Sequence, residues 1–473
     1  MNPHRQRFLC ALLAAFWFVS TAFTPILAHA ALFSEFTLKK EKELGDKFNV
    51  LIRSRMPLIQ DPEVVDYISG IVKRLERTMP PQPFPFTVGV IWHNAVNAFA
   101  TPGGYIFVQT GLILAMNNES EVAGVIAHEM AHVTQRHIAR RIENSQYVSV
   151  LSILGMLAGA FLGGDAGAAA MTGSMAAGQA AMLSYSRDDE RESDQVGMNY
   201  LSKAGYPPQG MVGAFEVLSR KQWLVGSSVP TYLSTHPGLS ERVKDMGIRV
   251  SRLPADKQRL RDNNTQFLRV QAIVRAKYSD PQPAAQIFSR QMKGPAKCMA
   301  LMGMGILASR QNKINDATRY FDDALACAPK DPLVIREAGI FHYTKGNKRR
   351  GLGLLQQAVA LSPNDVIAMF YHARALGDQG QTQAAIETTK RVLRKVPEDS
   401  EVHELLARLY GNNRQLFLAN LHMAYSALFE NNRQKTRQFL DKAKNLASGP
   451  ADSTALNRFQ RIYDERKAFW KKG

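Results

Sequence analysis

Cysteine is scarce in this sequence, with three residues in 473. Three thiols leave room for a single disulfide. Cys10 lies in an apolar N-terminal stretch without small residues before it, which does not match a lipid-attachment cysteine. Cys298 and Cys327 fall near the start of one expected helix and the end of the next, antiparallel one. In an oxidising compartment they can pair; the alternative is two buried free thiols.

Long apolar runs are also lacking. The N-terminal run, residues 8–19, is shorter than the roughly 20 residues that a membrane-spanning helix needs. It follows Arg5 and Arg7 and precedes Ala28-His29-Ala30, a small-x-small cleavage site. We therefore expect a signal peptide over residues 1–30, cleaved after Ala30, with an uncleaved N-terminal anchor as the alternative.

A second apolar run covers residues 148–164, and an Ala- and Gly-rich segment over 166–181 follows it. Asp165 interrupts the two, so the run does not match a membrane span. We expect residues 148–181 to form packed small-residue helices or a lid. Insertion into lipid as a hairpin is the alternative.

Acidic residues are outnumbered, since 59 Lys and Arg face 41 Asp and Glu and the net charge is +18. Cleavage of the signal removes two arginines and no acid, which leaves +16. A basic exported protein can lie against an anionic envelope surface or bind an acidic partner. Dispersed solvating charge is the commoner explanation. No nucleic-acid-binding motif is present, and export argues against that class of partner.

The most informative motif is His128-Glu129-Met130-Ala131-His132, which follows an apolar, helix-favouring run over residues 122–127. Residues four apart share a helix face, so the two imidazoles point the same way. Together they can hold one zinc ion, with Glu129 beside the coordinated water as general base. Such a motif also occurs by chance in long chains, so a third ligand is required.

Two other histidines are unsuitable as the third ligand. His137 is nine residues past His128, about half a turn away around a continuous helix. We expect it to face away from the metal and to lie at the surface. His93 falls at a strand end before a turn, where a structural role is expected.

An acidic segment over residues 188–197 offers better candidates. If this segment is helical, Glu190 and Asp194 share a face, whereas Glu192 lies about 200° away from Glu190. One face can then present a carboxylate ligand and a second carboxylate that fixes a ligating imidazole. Glu190 is the preferred ligand and Glu192 the alternative. A solvated acidic helix start is the remaining interpretation.

The residues ahead of the motif indicate an α+β core. Helical spacing predicts helices over residues 36–55 and 62–78, and a proline-rich break follows at 79–83. β-branched and aromatic residues then predict strands over 84–92 and 105–108, separated by a turn at 101–104. This small sheet leads directly into the expected metal-binding helix.

The C-terminal half carries a repeat. Pro329, Pro363 and Pro397 are 34 residues apart, the period of the tetratricopeptide repeat. The small and large positions of that repeat are filled in the first copy by Gly305, Ala317, Phe321 and Ala324, and in the second by Gly339, Leu355 and Ala358. The third copy keeps Ala373 and Ala385 but has Val392 in place of the last alanine, so the agreement fades along the chain while the period holds. Such helix pairs stack into a solenoid with a concave groove. We expect a metal-binding domain over 31–260 and a repeat domain over 261–473, with an irregular helical domain as the alternative.

The combined motifs resemble the HtpX/CAAX-protease peptidase family of gluzincins. The resemblance rests on His128-Glu129-x-x-His132, on Ser186-Arg187 and on Glu190-x-x-x-Asp194. It implies that Glu190 is the third zinc ligand and that Asp194 is the aspartate supporting a ligand. Asn97-Ala98-Phe99-Ala100, with the following turn, resembles the edge strand of the family, to which an extended substrate adds as a further strand.

Thr235-His236-Pro237 and Arg242 match a further family element. A signal peptide, this catalytic domain and C-terminal repeats together are similar to the periplasmic BepA-type subgroup. In that subgroup, the equivalent of His236 is implicated as an extra zinc ligand that displaces the water and keeps the enzyme idle. A helix-cap or core histidine is the structural alternative for His236.

The resemblance implies an exported zinc endopeptidase with one Zn²⁺ per chain, in which Glu129 is the base and His236 or Arg242 stabilises the oxyanion. Expected clients are unfolded or misassembled envelope proteins in the periplasm, with the repeats contacting the outer-membrane protein assembly machinery. Peripheral contact with the outer membrane stays open. The alternatives are a non-proteolytic chaperone or assembly factor and a purely structural zinc.

Overall fold

The computed structural model describes residues 36–144, 185–224, 232 and 235–467. The expected signal peptide and the segment 148–181 lie outside the described residues. Helices dominate, with one small sheet in the N-terminal half and stacked helix pairs in the C-terminal half. Within the described ranges, no helix combines the length and apolarity needed to cross a membrane.

The helices of the N-terminal half lie before and after the sheet. In chain order they are α1 (Leu38–Arg55), α2 (Pro62–Glu76), α3 (Thr110–Ala115), α4 (Glu119–Thr134), α5 (His137–Asn144), α6 (Arg187–Lys203), α7 (Gln209–Leu224), α8 (Leu239–Ser251) and α9 (Ala255–Gln258).

Three strands form the sheet, namely β1 (Thr87–Ile91), β2 (Ala98–Thr101) and β3 (Tyr105–Gln109). Their order is β1-β3-β2, with β3 parallel to β1 and antiparallel to β2. Strand β1 is shorter than the predicted strand over residues 84–92. Pro85, which has no N–H to donate to a neighbouring strand, lies just before β1. In the order β1-β3-β2, strand β2 lies at one edge of the sheet, as the family resemblance implied.

Helix α4 is the centre of the N-terminal half. Asn118 caps it by accepting a hydrogen bond from the Glu121 N–H, and every residue from Ser120 to His132 is buried. Helix α6 packs very closely on it, because a Cβ at Gly197 would lie 3.1 Å from the His128 Cα. A helix buried on all sides needs its polar side chains paired with each other or with a ligand.

The C-terminal half is a stack of helix pairs, in agreement with the predicted repeats. Its helices are α10 (Thr265–Tyr278), α11 (Pro281–Gln291), α12 (Lys297–Arg310), α13 (Ile314–Cys327), α14 (Pro332–Lys345), α15 (Lys348–Leu361), α16 (Val366–Asp378), α17 (Thr382–Lys395), α18 (Ser400–Asn412), α19 (Leu416–Phe429), α20 (Arg433–Leu446) and α21 (Pro450–Lys467). Phe321, Leu355 and Ala385 are fully buried where the repeat pattern requires contact between helices.

A disulfide links the start of α12 to the end of α13. It joins Cys298 to Cys327, whose Cα atoms are 5.5 Å apart. Two antiparallel helices of one repeat are thereby held together at one end.

Buried charges join the two halves of the molecule. Asp61 caps α2 and accepts hydrogen bonds from Lys277 at 2.9 Å and from Arg336 at 3.2 Å. The fully buried Arg336 also donates to Asp365 at 2.8 Å and to Glu337 at 2.9 Å. These residues, which we call the interdomain charge cluster, connect the first turn of α2 to three repeat helices.

Candidate metal centre

Four side chains bring metal-binding atoms to one buried point. His128 and His132 lie on α4, Glu190 lies on the first turn of α6, and His236 lies in the loop before α8. Each of the four is at most 1% exposed. The structure therefore brings together all the predicted ligands from three separate stretches of the chain.

The distances within this cluster fit a tetrahedral metal ion. His128 Nε2 is 3.0 Å from His132 Nε2 and 3.4 Å from His236 Nδ1. Glu190 Oε1 is 3.4 Å from His132 Nε2 and 2.9 Å from His236 Nδ1. A tetrahedral ion with metal–ligand bonds of 2.0–2.1 Å would separate its ligand atoms by about 3.3 Å. The donor set and its spacing thus fit one divalent ion.

Helix α6 begins in a way that fixes Glu190. Ser186 and Asp189 form a capping box, with Ser186 accepting from the Asp189 N–H and Asp189 accepting from the Ser186 N–H. Glu190 therefore sits in the first turn and points inward, in ion-pair contact with Arg242. Burial favours a raised pKa for Glu190, but the nearby His236 and Arg242 hold that pKa well below its ordinary value.

Asp194 lies one turn further along α6 and supports His128. Its Oδ1 is 3.0 Å from His128 Nδ1, so it orients the imidazole whose Nε2 faces the cluster. Arg242 donates to both oxygens of Asp194, at 2.8 and 2.7 Å. Burial would raise the pKa of Asp194, but the hydrogen bonds with Arg242 and His128 lower it.

Arg242 is therefore engaged with two carboxylates on α6. The sequence analysis offered it as an oxyanion-stabilising group, which would require a guanidinium turned toward the substrate. In this conformation its donors are directed at Asp194 and Glu190, and only 4% of the residue is exposed. The contacts favour a role in positioning these carboxylates.

Glu129 lies between the cluster and the edge strand. Its Oε2 accepts a hydrogen bond from the Ala100 N–H at 3.3 Å, and its Oε1 lies 3.5 Å from His236 Nε2. Burial raises the pKa of Glu129 above its ordinary value. The carboxylate thus occupies the place expected of a general base, but both of its oxygens have neighbours in this conformation.

The predicted substrate-binding residues belong to β2 or directly precede it, and Ala100 is the one whose backbone contacts Glu129. Asn97, Ala98, Phe99 and Ala100 are all buried, and the Phe99 ring stacks on Phe107 at 5.3 Å. Neither polar atom of the Asn97 side chain has a hydrogen-bond partner within the described part of the chain. Since β3 pairs with the other side of β2, the free edge of β2 faces Glu129.

His236 is held in place by aromatic stacking and backbone hydrogen bonds. The His236 ring stacks on the Tyr232 ring, with centroids 4.3 Å apart, and the backbone N–H of His236 donates to the Tyr232 carbonyl. The Tyr185 N–H donates to the Thr235 carbonyl at 2.9 Å, while the Tyr185 ring stacks on His132 at 3.8 Å. These contacts direct Nδ1 of His236 into the cluster.

The prediction that His137 lies at the surface is wrong. Helix α4 ends at Thr134, Arg136 adopts a left-handed φ of 53°, and His137 begins α5. The half-turn extrapolation therefore fails, and His137 is 1% exposed with its Nδ1 only 2.7 Å from His132 Nδ1. Glu192, the alternative ligand, contacts His137 and lies outside the donor cluster. His93 lies in an exposed turn, away from these residues.

Comparison with known proteins finds a family match for each half of the molecule. The model of Peptidase family M48 matches residues 59–249, a range that contains the whole donor cluster, and a tetratricopeptide-repeat model matches residues 344–409. Residues 59–249 form a peptidase family M48 domain. The chain is therefore a metalloendopeptidase that also carries tetratricopeptide repeats.

Several curated relatives carry the name of a protease or metalloendopeptidase. The beta-barrel assembly-enhancing protease of Escherichia coli (strain K12) is 28% identical over 443 residues, which cover 92% of this chain and 88% of that protein. A putative beta-barrel assembly-enhancing protease of Vibrio cholerae is 35% identical over 47% of this chain and 46% of its own length. The mitochondrial metalloendopeptidase OMA1 of Schizosaccharomyces pombe is 27% identical over 51% of this chain and 72% of that protein.

Proposed function

We propose that this chain is a zinc-dependent endopeptidase of gluzincin type, in which His128, His132 and Glu190 hold the metal. The observation that carries the proposal is the buried donor cluster with Glu129 beside it. Two imidazoles and a carboxylate are a donor set that suits zinc. Zinc bound there would polarise the scissile carbonyl and acidify a coordinated water.

The remaining chemistry belongs to the protein. An extended substrate would add to the edge of β2 that faces away from β3, where side chains discriminate little. The backbone groups of Ala98 would offer hydrogen bonds there, and the Ala100 N–H would join them once Glu129 releases it. Glu129 would accept the proton of the attacking water and deliver it to the leaving amine. The hydrogen bond between Glu129 and the Ala100 N–H supports this role, because it brings the carboxylate to the strand on which the peptide would bind.

His236 would keep this site idle in the conformation described here. Its Nδ1 would take the fourth coordination position of the metal, and its Nε2 lies 3.5 Å from Glu129 Oε1, the oxygen that Ala100 does not contact. A single side chain thus blocks both the coordination position and the base. Gly238, which follows with a left-handed φ of 77°, would suit a hinge for withdrawing the loop.

We further propose that the protein acts in the periplasm, after cleavage of the signal peptide, on unfolded or misassembled envelope proteins. The names of the curated relatives, which include beta-barrel assembly-enhancing proteases, support outer-membrane protein assembly as the setting. The stacked helices of the C-terminal half supply a surface for partners from that machinery. Peripheral contact with the outer membrane is compatible with the basic net charge.

A non-proteolytic chaperone or assembly factor is the second candidate, and one observation favours it. A cavity of about 430 Å³ lies between the two halves, lined in part by Val366, Phe370 and Tyr371 and by the acidic residues Asp399 and Glu401. Such a cavity could hold part of a client without cleavage. Zinc-dependent digestion of an unfolded client separates the two functions.

The decisive variant is Glu129→Gln. It should retain zinc at wild-type stoichiometry and lose caseinolysis, because the amide keeps the shape of the side chain but cannot take a proton. Glu216→Gln is a matched control, since Glu216 is a half-exposed carboxylate that pairs with Arg220 within α7. Retained cleavage in Glu129→Gln would refute the assignment of the base.

The idle state has its own test in His236→Ala. Caseinolysis should rise, because the fourth corner of the cluster and Glu129 Oε1 both become free. His93→Ala, an exposed histidine in a turn, is the control and should leave the rate unchanged. A His236→Ala rate no higher than that of the wild type would exclude the blocking role.

A further inference from the structure

The two histidines of α4 are supported in different ways. His128 uses its Nδ1 to contact Asp194 Oδ1 directly, at 3.0 Å. Within the described part of the chain, no carboxylate contacts Nδ1 of His132; instead, Nδ1 of His137 lies 2.7 Å away. His137 in turn places its Nε2 2.9 Å from Glu192 Oε2. The second ring nitrogen of a metal-ligating imidazole normally donates a hydrogen bond to a carboxylate or a backbone carbonyl. For His132, the imidazole of His137 lies between that nitrogen and the carboxylate of Glu192.

The positions of the protons on His132 and His137 follow from the contact with Glu192. A carboxylate only accepts hydrogen bonds, so the Nε2 that faces Glu192 must carry the proton of neutral His137. Nδ1 of His137 is then an acceptor, and the short contact requires Nδ1 of His132 to donate. A neutral His132 with its proton on Nδ1 has a bare Nε2, which is the atom that faces Glu190 and His128.

We infer that His137 and Glu192 are positioning residues that fix the tautomer and ring orientation of His132 for metal binding. Helix α6 then serves both histidines of α4. Glu190 joins the cluster, Asp194 fixes His128 directly, and Glu192 fixes His132 through His137. This inference rests on the proposed metal site and adds two residues to it.

A second metal site is the competing interpretation of the same residues. His137, Asp189 and Glu192 could bring one ligand atom each within 4.8 Å of the others. However, Arg140 donates to Glu192 at 2.8 Å and Arg141 donates to Asp189 at 3.3 Å. Guanidinium groups already neutralise both carboxylates, and Nδ1 of His137 is turned toward His132. These contacts favour the positioning role.

Two substitutions at His137 separate its contact with His132 from its contact with Glu192; Ser193 Oγ lies 3.3 Å from the same Nδ1 and is left unchanged in both variants. In His137→Asn, the amide oxygen is as many bonds from Cα as Nδ1, so it can accept from His132 while the contact with Glu192 is lost. In His137→Gln, the amide nitrogen matches Nε2, so it can reach Glu192 while the acceptor for His132 is lost. The pair therefore tests which contact matters to the metal.

The measurement is the zinc dissociation constant of the full chain by competition with a chromogenic chelator, together with the visible spectrum of the Co²⁺-substituted protein. His137→Gln should weaken zinc binding by about 10- to 100-fold and alter the cobalt spectrum. His137→Asn should stay within about threefold of the wild type, because the amide oxygen is an acceptor without help from Glu192. Equal zinc affinity in wild type and His137→Gln, or equal losses in both variants, would overturn the inference.

Glu192→Ala provides a variant that should fold normally, because the Glu192 side chain is 39% exposed. It should also weaken zinc binding, whereas Asp188→Ala, whose side chain is 93% exposed one turn earlier on α6, should not. Equal affinities in these two variants would also overturn the inference. Since zinc binding is measured without proteolysis, failure of the endopeptidase proposal would instead appear as wild-type protein that binds no zinc or as an active Glu129→Gln.

Discussion

Arg336→Met is expected to weaken the junction between the catalytic and repeat halves severely. Arg336 is fully buried and contacts three carboxylates, those of Asp61, Asp365 and Glu337. Its removal leaves Lys277 as the remaining cation of the interdomain charge cluster. Burial favours a neutral Asp61, but Arg336 and Lys277 hold the pKa of Asp61 at about 2. Breaking a buried ion pair by deleting one partner costs about 3–5 kcal/mol, and we expect a loss in this range.

The assay is urea unfolding at pH 7, followed by circular dichroism. Arg319→Met is the matched control, because its side chain is 64% exposed and its partner Asp316 is 52% exposed. Such a surface pair contributes about 0–1 kcal/mol. Arg336→Met combined with Asp61→Asn should recover part of the loss, since one uncompensated carboxylate is removed. A cost below about 1 kcal/mol for Arg336→Met would refute the reasoning that buried charge joins the two halves.

Three further predictions concern stability. Burial lowers the pKa of His403 to about 4 and that of His422 to about 3, so each histidine should cost the folded state about 3 kcal/mol as the pH falls from about 6.5 to 4. His403→Gln should remove about half of this pH dependence in urea unfolding, and an unchanged slope would contradict it. Cys298→Ser should lower the free energy of unfolding by about 3.5 kcal/mol, because the disulfide closes a loop of 29 residues, and reducing agent should bring the wild type to the same unfolding midpoint. Equal midpoints of Cys298→Ser and wild type without reducing agent would be inconsistent with this. Gly197→Val should cost about 1–3 kcal/mol and weaken zinc binding, because its Cβ would lie 3.0 Å from a backbone oxygen of α4; unchanged stability and affinity would show that the close packing of α6 is not required.

Helical periodicity explains why most of the donor cluster could be predicted from the sequence. Residues four apart share a face whatever the tertiary fold, so His128 and His132, and likewise Glu190 and Asp194, could be paired on local grounds. The same arithmetic separated Glu190 from Glu192, and the structure places only Glu190 in the cluster. His236 was found only through family resemblance, since no local period relates a loop residue to a distant helix.

The features that sequence reasoning missed depend on chain reversals and tertiary pairing. The end of α4 is marked by a left-handed Arg136 without a glycine, so the continuous-helix assumption misplaced His137. The interdomain charge cluster was also missed, because Asp61 and Arg336 are 275 residues apart and charged residues are ordinarily expected at the surface. A signal for His137 was nonetheless available: a histidine five residues after His132 is close enough to contact it across a tight helix end.

X-ray absorption at the zinc edge, on the purified wild-type protein and on His236→Ala, tests the central claim most directly. The account predicts one zinc per chain bound by three imidazole nitrogens and one carboxylate oxygen at about 2.0–2.2 Å, with one imidazole fewer in His236→Ala. A wild-type protein without zinc, or a coordination shell that is the same in both proteins, would contradict it.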